Sequence, residues 1–213
     1  MQIIISIKTL AALADIADGA NGNKYSNKIA FFPGTDYAIA TNGHMLAFTD
    51  GACATEGGSA VITLSAKRAK VILAEVRKNK AATALGEIFL FSTQEEYDDY
   101  INEQQRAIDA GTGLYANAAF SFVPDYGYIS IDNIRKIVQE NRREASDVVP
   151  AFNLKYLKRA AKLWCAVSKY RNEDDPRYNR IFYGVGNTLH LCWWDDHEIT
   201  DYHVVIMPYR HNC

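Results

Sequence analysis

The stretch Tyr37-Ala38-Ile39-Ala40-Thr41-Asn42-Gly43-His44-Met45-Leu46-Ala47-Phe48 decides the fold. Two short apolar runs, 37–40 and 45–48, flank an Asn-Gly pair. Glycine enters the positive-φ region freely and asparagine tolerates it, so the pair suits a tight antiparallel turn. The segment therefore predicts a β-hairpin.

Upstream, residues 29–32 form a third strand-like run, set off by the turn residues Pro33-Gly34-Thr35-Asp36. Residues 2–7 read as a strand. Lys8 to Asp18 then places Leu10, Leu13, Ala14 and Ala17 at helical spacing, closed by Gly19. Downstream, 60–64 is a strand, and Ser65 can cap a helix running to about Asn79. Its inner face would be Ala69, Ile72, Leu73 and Val76, an i, i+3, i+4, i+7 set. Residues 87–91 are a strand again. The order is strand, helix, three strands, then strand, helix, strand, which has a βαβββ repeat.

Residues 93–113 break this scheme. The segment is polar and acidic, and Ser92 and Thr93 are each followed three residues on by Glu95 and Glu96, a capping-box signature. A surface helix over 93–109 follows, ended by Gly111-Thr112-Gly113. Beyond it, 120–123 is a strand. Ser130 caps a helix over 131–143 with Ile131, Ile134 and Val138 inward. A last helix opens in Phe152-Asn153-Leu154-Lys155-Tyr156-Leu157 and runs to about Tyr170. After a charged loop at 172–180 come three closing strands, 181–185, 188–193 and 203–207.

The chain has 213 residues, enough for one large or two small domains. Its 48% hydrophobic content is ordinary for a globular protein. No apolar run approaches the roughly 18 residues of a membrane span, and the apolar start is too short for a signal peptide. Cys53, Cys165, Cys192 and Cys213 are scattered without C-x-x-C spacing, which suits free thiols in a reducing cytoplasm rather than a disulfide or zinc framework.

A net charge of −2 by itself argues against a simple nucleic-acid binder. The distribution points the other way. Basic residues gather on three predicted helices: Lys67, Lys70, Arg77 and Lys78; Arg135 and Arg142; and Lys155, Lys158, Lys162 and Lys169. Within the last helix the spacing is i, i+3, i+7 and i+14, one face. Acidic residues lie mostly at 93–109, 172–175 and 195–201. Basic helix faces of this kind can hold DNA phosphates without reading bases. A solvated helix face carrying Lys and Arg is the plainer alternative.

Four segments resemble, in family order, the bacterial DNA sliding clamps, the β subunit of the replicative polymerase. They are Thr41–Ala47 against the pattern T-D-G-H-R-L-A, Pro124-Asp125-Tyr126, Phe152–Leu157, and Val204-Val205-Ile206-Met207-Pro208-Tyr209-Arg210 against Y-V-V-M-P-M-R-L. The chain departs from the family at Asn42, Met45 and Gly127 and in its tail, His211-Asn212-Cys213. The resemblance implies an α+β, DNA-clamp-like fold with antiparallel sheets, helices packed on one face and βαβββ-type units. It implies a clamp-like domain at 1–92, an acidic helical insertion or connector at 93–116, and a second, shortened clamp-like domain at 117–213. It implies a peptide-binding groove formed by Thr41, Gly43, His44, Leu46, Pro124, Val204, Val205, Ile206, Met207, Pro208 and Arg210. The function implied is a processivity factor, of phage or prophage type. It would bind polymerases and other partners by short linear motifs and track along DNA as a homo-oligomer, with no enzyme activity and no cofactor. A monomeric adaptor or decoy that keeps the groove and forms no ring is the alternative.

A third, distant reading is a metal-dependent hydrolase using Asp195, Asp196, His197 and His203. Their spacing fits no ligand motif, and an acidic hairpin turn accounts for them. No nucleophile elbow or P-loop is present.

Overall fold

The computed structural model describes residues 1–19, 27–49, 51–58, 61–78, 86–110, 119–121, 152–167, 179–183, 189–194 and 199–207. Strand β1 (Gln2–Ser6) alternates half-buried and buried residues, as a strand with one core face must. Its last residue, Ser6, caps helix α1 (Ile7–Ala17), accepting the Thr9 N–H at 3.0 Å. Leu10, Ala12, Leu13, Ala14, Ile16 and Ala17 of α1 are all fully buried. A helix apolar on nearly every side belongs inside a core.

Three strands follow, β2 (Lys28–Phe31), β3 (Ala38–Thr41) and β4 (Met45–Thr49), paired as an antiparallel meander. Then come β5 (Cys53–Glu56), β6 (Ile62–Ser65), α2 (Ala66–Lys78) and β7 (Glu87–Phe91). Helix α3 (Gln94–Asp109) separates β7 from β8 (Ala119–Ser121). The chain closes with α4 (Leu154–Val167), β9 (Asn179–Tyr183), β10 (Leu189–Trp194) and β11 (Ile199–Ile206). The first unit, β1 to β4, is βαβββ as expected. The second is interrupted by α3 after β7. The helix expected at 131–143 lies outside the described residues.

The strands form two sheets, one ordered β5-β1-β7-β8 and the other β6-β2-β3-β4-β11-β10-β9. All described pairings are antiparallel except β7 with β8, which is parallel. The larger sheet joins the two ends of the chain, because β4 pairs with β11.

The alternation of side chains assigns its faces. Ile29, Phe31, Ala38, Ala40, Met45, Ala47, Ile62, Leu64, Val204 and Ile206 share one core cluster with Leu10, Leu13 and Ile16 of α1, Ile72 of α2 and Leu163 of α4. Ala30, Phe32, Ile39 and Phe48 form a separate cluster on the opposite face. The helices thus cover a single face of this sheet, α2 against β6, α1 against β2 to β4, and α4 against β11. Helix α1 lies between α2 and α4 and touches both. The architecture is the expected α+β one, with largely antiparallel sheets and helices on one face.

The smaller sheet sends Ile3, Ile5, Ile88 and Leu90 into the same main core. On its other side Phe89 and Phe91 meet Tyr97 and Tyr100 of α3, with ring centroids 5.0–6.1 Å apart. The capping box at the start of α3 is present: Thr93 Oγ1 accepts the Glu96 N–H at 3.2 Å, and Glu96 Oε2 accepts the Thr93 N–H at 3.2 Å. Glu96 also pairs with the amino group of Met1. Strand β5 was not expected. It carries only Cys53 and Thr55 inward, and Thr55 donates through its hydroxyl to carbonyls of the loop between β2 and β3.

Candidate functional site

The β3–β4 hairpin turns at Gly43-His44, one residue later than Asn42-Gly43. Gly43 has φ +85°, a conformation that a side chain would strain. Asn42 stays outside the turn and straps it. Its Oδ1 accepts the backbone N–H groups of His44 and Met45, both at 2.9 Å. Thr41 adds a second strap: its Oγ1 donates to the Met45 carbonyl at 3.0 Å and accepts the Gly43 N–H at 3.2 Å. Short polar side chains that bond the local backbone are what hold such turns.

Strand β11 runs along the outer edge of this hairpin. Leu46 stands opposite Val205 and Met45 opposite Ile206, and the Met207 N–H donates to the His44 carbonyl at 2.8 Å. Two segments from opposite ends of the sequence are therefore neighbours.

Alternation divides the groove residues between the two faces. Val204 and Ile206 point under the helices and are fully buried. Their role here is to fix β11 to the core. Leu46 packs against the opposite-face cluster with Phe48 and Ile39. Val205 is 6% exposed, and Met207 is 43% exposed. Gly43 and His44 are exposed at the turn. The His44 ring stacks on Tyr156 of α4, with centroids 6.2 Å apart and planes inclined by 16°. Leu154, at the start of α4, is 77% exposed.

Tyr156 and Leu154 are not among the site residues expected from the sequence, although both lie in the Phe152–Leu157 segment that carries part of the resemblance. Asn153 positions that helix start: its Oδ1 accepts the Lys155 N–H at 2.9 Å. Pro124, Pro208 and Arg210 lie outside the described residues.

The basic candidates fall on the outer surface of the helix layer. Lys67, Lys70, Arg77 and Lys78 of α2 and Lys155, Lys158 and Lys162 of α4 are exposed. Arg135, Arg142 and Lys169 lie outside the described residues. The middle helix of the layer carries Asp15 and Asp18 at its C-terminal end, both partly exposed. Lys70 Nζ lies 2.6 Å from Asp18 Oδ2, and Lys162 pairs with Asp15. Arg159 donates to the Asp18 carbonyl at 2.6 Å and lies 3.8 Å from its carboxylate. The hydrogen bond from Lys70 holds the Asp18 carboxyl below its usual range. Partial burial opposes this, and the charges of Lys70, Arg159 and Lys155 reinforce it. Lys67, Arg77, Lys78, Lys155 and Lys158 make no ion pair among the described residues.

Of the metal candidates, Asp195, Asp196 and His197 lie outside the described residues. His203 is buried, with its ring 5.9 Å from that of Phe48. No group of three or more His, Cys, Asp or Glu among the described residues could hold a metal ion. No helix of the described residues is long and apolar enough to cross a membrane.

No protein-family model matches the chain, and no curated protein matches it. Among solved structures, the chain is similar to a "Putative DNA polymerase III beta subunit" from Eubacterium rectale, with a TM-score of 0.49 and 10% identity. The match covers 100% of this chain and 66% of that one, so this chain spans just under two thirds of that protein's length.

Proposed function

We propose that this protein is a clamp-like replication accessory that holds partner proteins by short linear peptides at the β4–β11 seam and contacts DNA through its basic helix layer. The observation that carries this reading is the seam itself. The Thr41–Ala47 and Val204–Arg210 segments carry the sliding-clamp resemblance, and the first lies beside the described part of the second, Leu46 opposite Val205. The exposed Met207 offers an adaptable apolar contact for the Leu or Phe of a partner peptide. The strapped hairpin is preorganised, which lowers the ordering cost of binding. Partners of this reading are DNA, bound without base readout, and polymerases or other clamp-binding proteins.

A second reading, a monomeric adaptor that binds the same partners and forms no ring, draws on the internal pairing of Lys70 and Lys162. Sedimentation separates the two, since a tracking clamp must assemble.

The groove is tested by binding of a labelled peptide of the Gln-Leu-x-Leu-Phe type to the wild type and to Met207→Glu. The expected wild-type Kd is near micromolar, about −8 kcal/mol, with binding lost in the variant and its melting temperature unchanged because Met207 is exposed. Absence of wild-type binding rejects the groove.

A further inference from the structure

Helix α1 presents very little to solvent, and what it presents at its C-terminal end is negative. Asp15 lies in the last turn and Asp18 is the C-cap, with no basic residue in that turn. A helix C-terminus carries partial negative charge, so carboxylates there are unfavourable on local grounds. They are offset by cations from both neighbouring helices: Lys70 from α2, and Arg159 and Lys162 from α4. The carboxylates thus sit on the midline of the layer whose flanks are basic. Lys70 and Lys162 remain about half exposed while paired, so they are accessible to another anion. Exposed pairs of this kind contribute little to stability, which leaves their position in the layer to be accounted for.

We propose that Asp15 and Asp18 are built-in competitors for nucleic-acid phosphate: they occupy Lys70 and Lys162 and keep non-specific DNA binding weak and readily reversible. The inference rests on the reading of the helix layer as a DNA-contacting surface. A surface meant to slide must not grip. Each lysine held by an internal carboxylate releases no counterion when a phosphate arrives, so it adds nothing to the salt-dependent affinity. The conservative alternative is that the pairs merely clip α2 and α4 to α1.

The test uses the full chain and a labelled random-sequence 30-base-pair duplex, followed by fluorescence anisotropy from 50 to 200 mM salt. Wild type is compared with Asp15→Asn/Asp18→Asn and with Asp15→Asn alone. The single variant touches only an exposed pair and keeps the measurement valid if the double variant is unstable. Two freed lysines should steepen the log–log salt slope by about 2. The affinity lost across that salt range should then grow about tenfold, and binding at 50 mM should tighten. The single variant should show about half the change in slope. Unchanged slope and affinity in folded variants overturn the proposal and leave the DNA reading standing. Binding by neither wild type nor variants overturns both. Binding by the variants alone supports the proposal in its strongest form.

Discussion

Replacing Asn42 with alanine should destabilise the protein by about 2–4 kcal/mol, chiefly through two hydrogen bonds. Asn42 Oδ1 accepts the His44 and Met45 N–H groups, and the Met45 bond is buried. A buried donor left without an acceptor costs about 1–3 kcal/mol, whereas a typical exchange with water costs about 1 kcal/mol. Met45 belongs to the first class, because strand pairing keeps water from its N–H. His44 belongs to the second, because it is exposed at the turn. Urea unfolding should show a lowered midpoint at unchanged slope, and the melting temperature should fall by about 4–16 °C. Asn42→Asp is the companion variant. It keeps the acceptor oxygen but puts a carboxylate oxygen in the place of Nδ2, which is buried without a hydrogen-bond partner among the described residues, so desolvation of the charge offsets what the retained bonds contribute. Peptide affinity in Asn42→Ala should drop as well, since the His44 carbonyl that receives Met207 is carried by the same turn. A stability change under about 0.5 kcal/mol would refute this account, because strand pairing alone would then suffice to hold the hairpin.

Two further outcomes follow from the packing and the charges. Leu163, fully buried where α4 meets the core, should cost about 2–5 kcal/mol on replacement by alanine, read by the same urea titration. Asp18 has its folded-state pKa depressed below its unfolded value. Its contribution to stability is therefore complete above the unfolded value and is lost as pH falls from about 4 through the folded pKa. Thermal melts from pH 6 to pH 2.5 should show a shallower acid decline for Asp18→Asn than for wild type. The carboxylate is 47% exposed, so the difference should be small and should shrink in high salt.

Much of the scaffold was legible because it is periodic. The face predicted for α2, Ala69, Ile72, Leu73 and Val76, is buried in the structure. Strand β7 and the capping box of α3 also lie where pattern and cap chemistry put them. Features that depend on distant partners were not legible. Strand β5 has too few apolar residues to announce itself, and it exists because β1 offers a partner edge. The parallel pairing of β8 depends on what lies between it and β7. Spacing along one helix showed which lysines share a face but not that Asp15 and Asp18 of another helix would meet them. The proximity of Leu46 and Val205 came from the family resemblance, since no periodicity links residues so far apart. The division of Val204 and Ile206 from Val205 and Met207, by contrast, was available from strand alternation alone.

The candidate groove and the charged layer share one support. Met45 and Ala47 of β4 and Val204 and Ile206 of β11 reach the same core as α1 and α4. The outer residues Leu46 and Val205 are neighbours only while those inner residues are packed, since sheet register fixes both faces at once. Helix α1 also brings α2 and α4 to either side of its carboxylates. An apolar helix that cannot stay in water thus holds together a sheet seam built from both ends of the chain and a surface whose charges come from three helices. Neither end of the sequence can make the seam alone. A ligand that binds across it must favour the fully closed chain, and binding to the native form alone stabilises the whole fold. A bound peptide would therefore act on the stability of the entire sheet and helix layer.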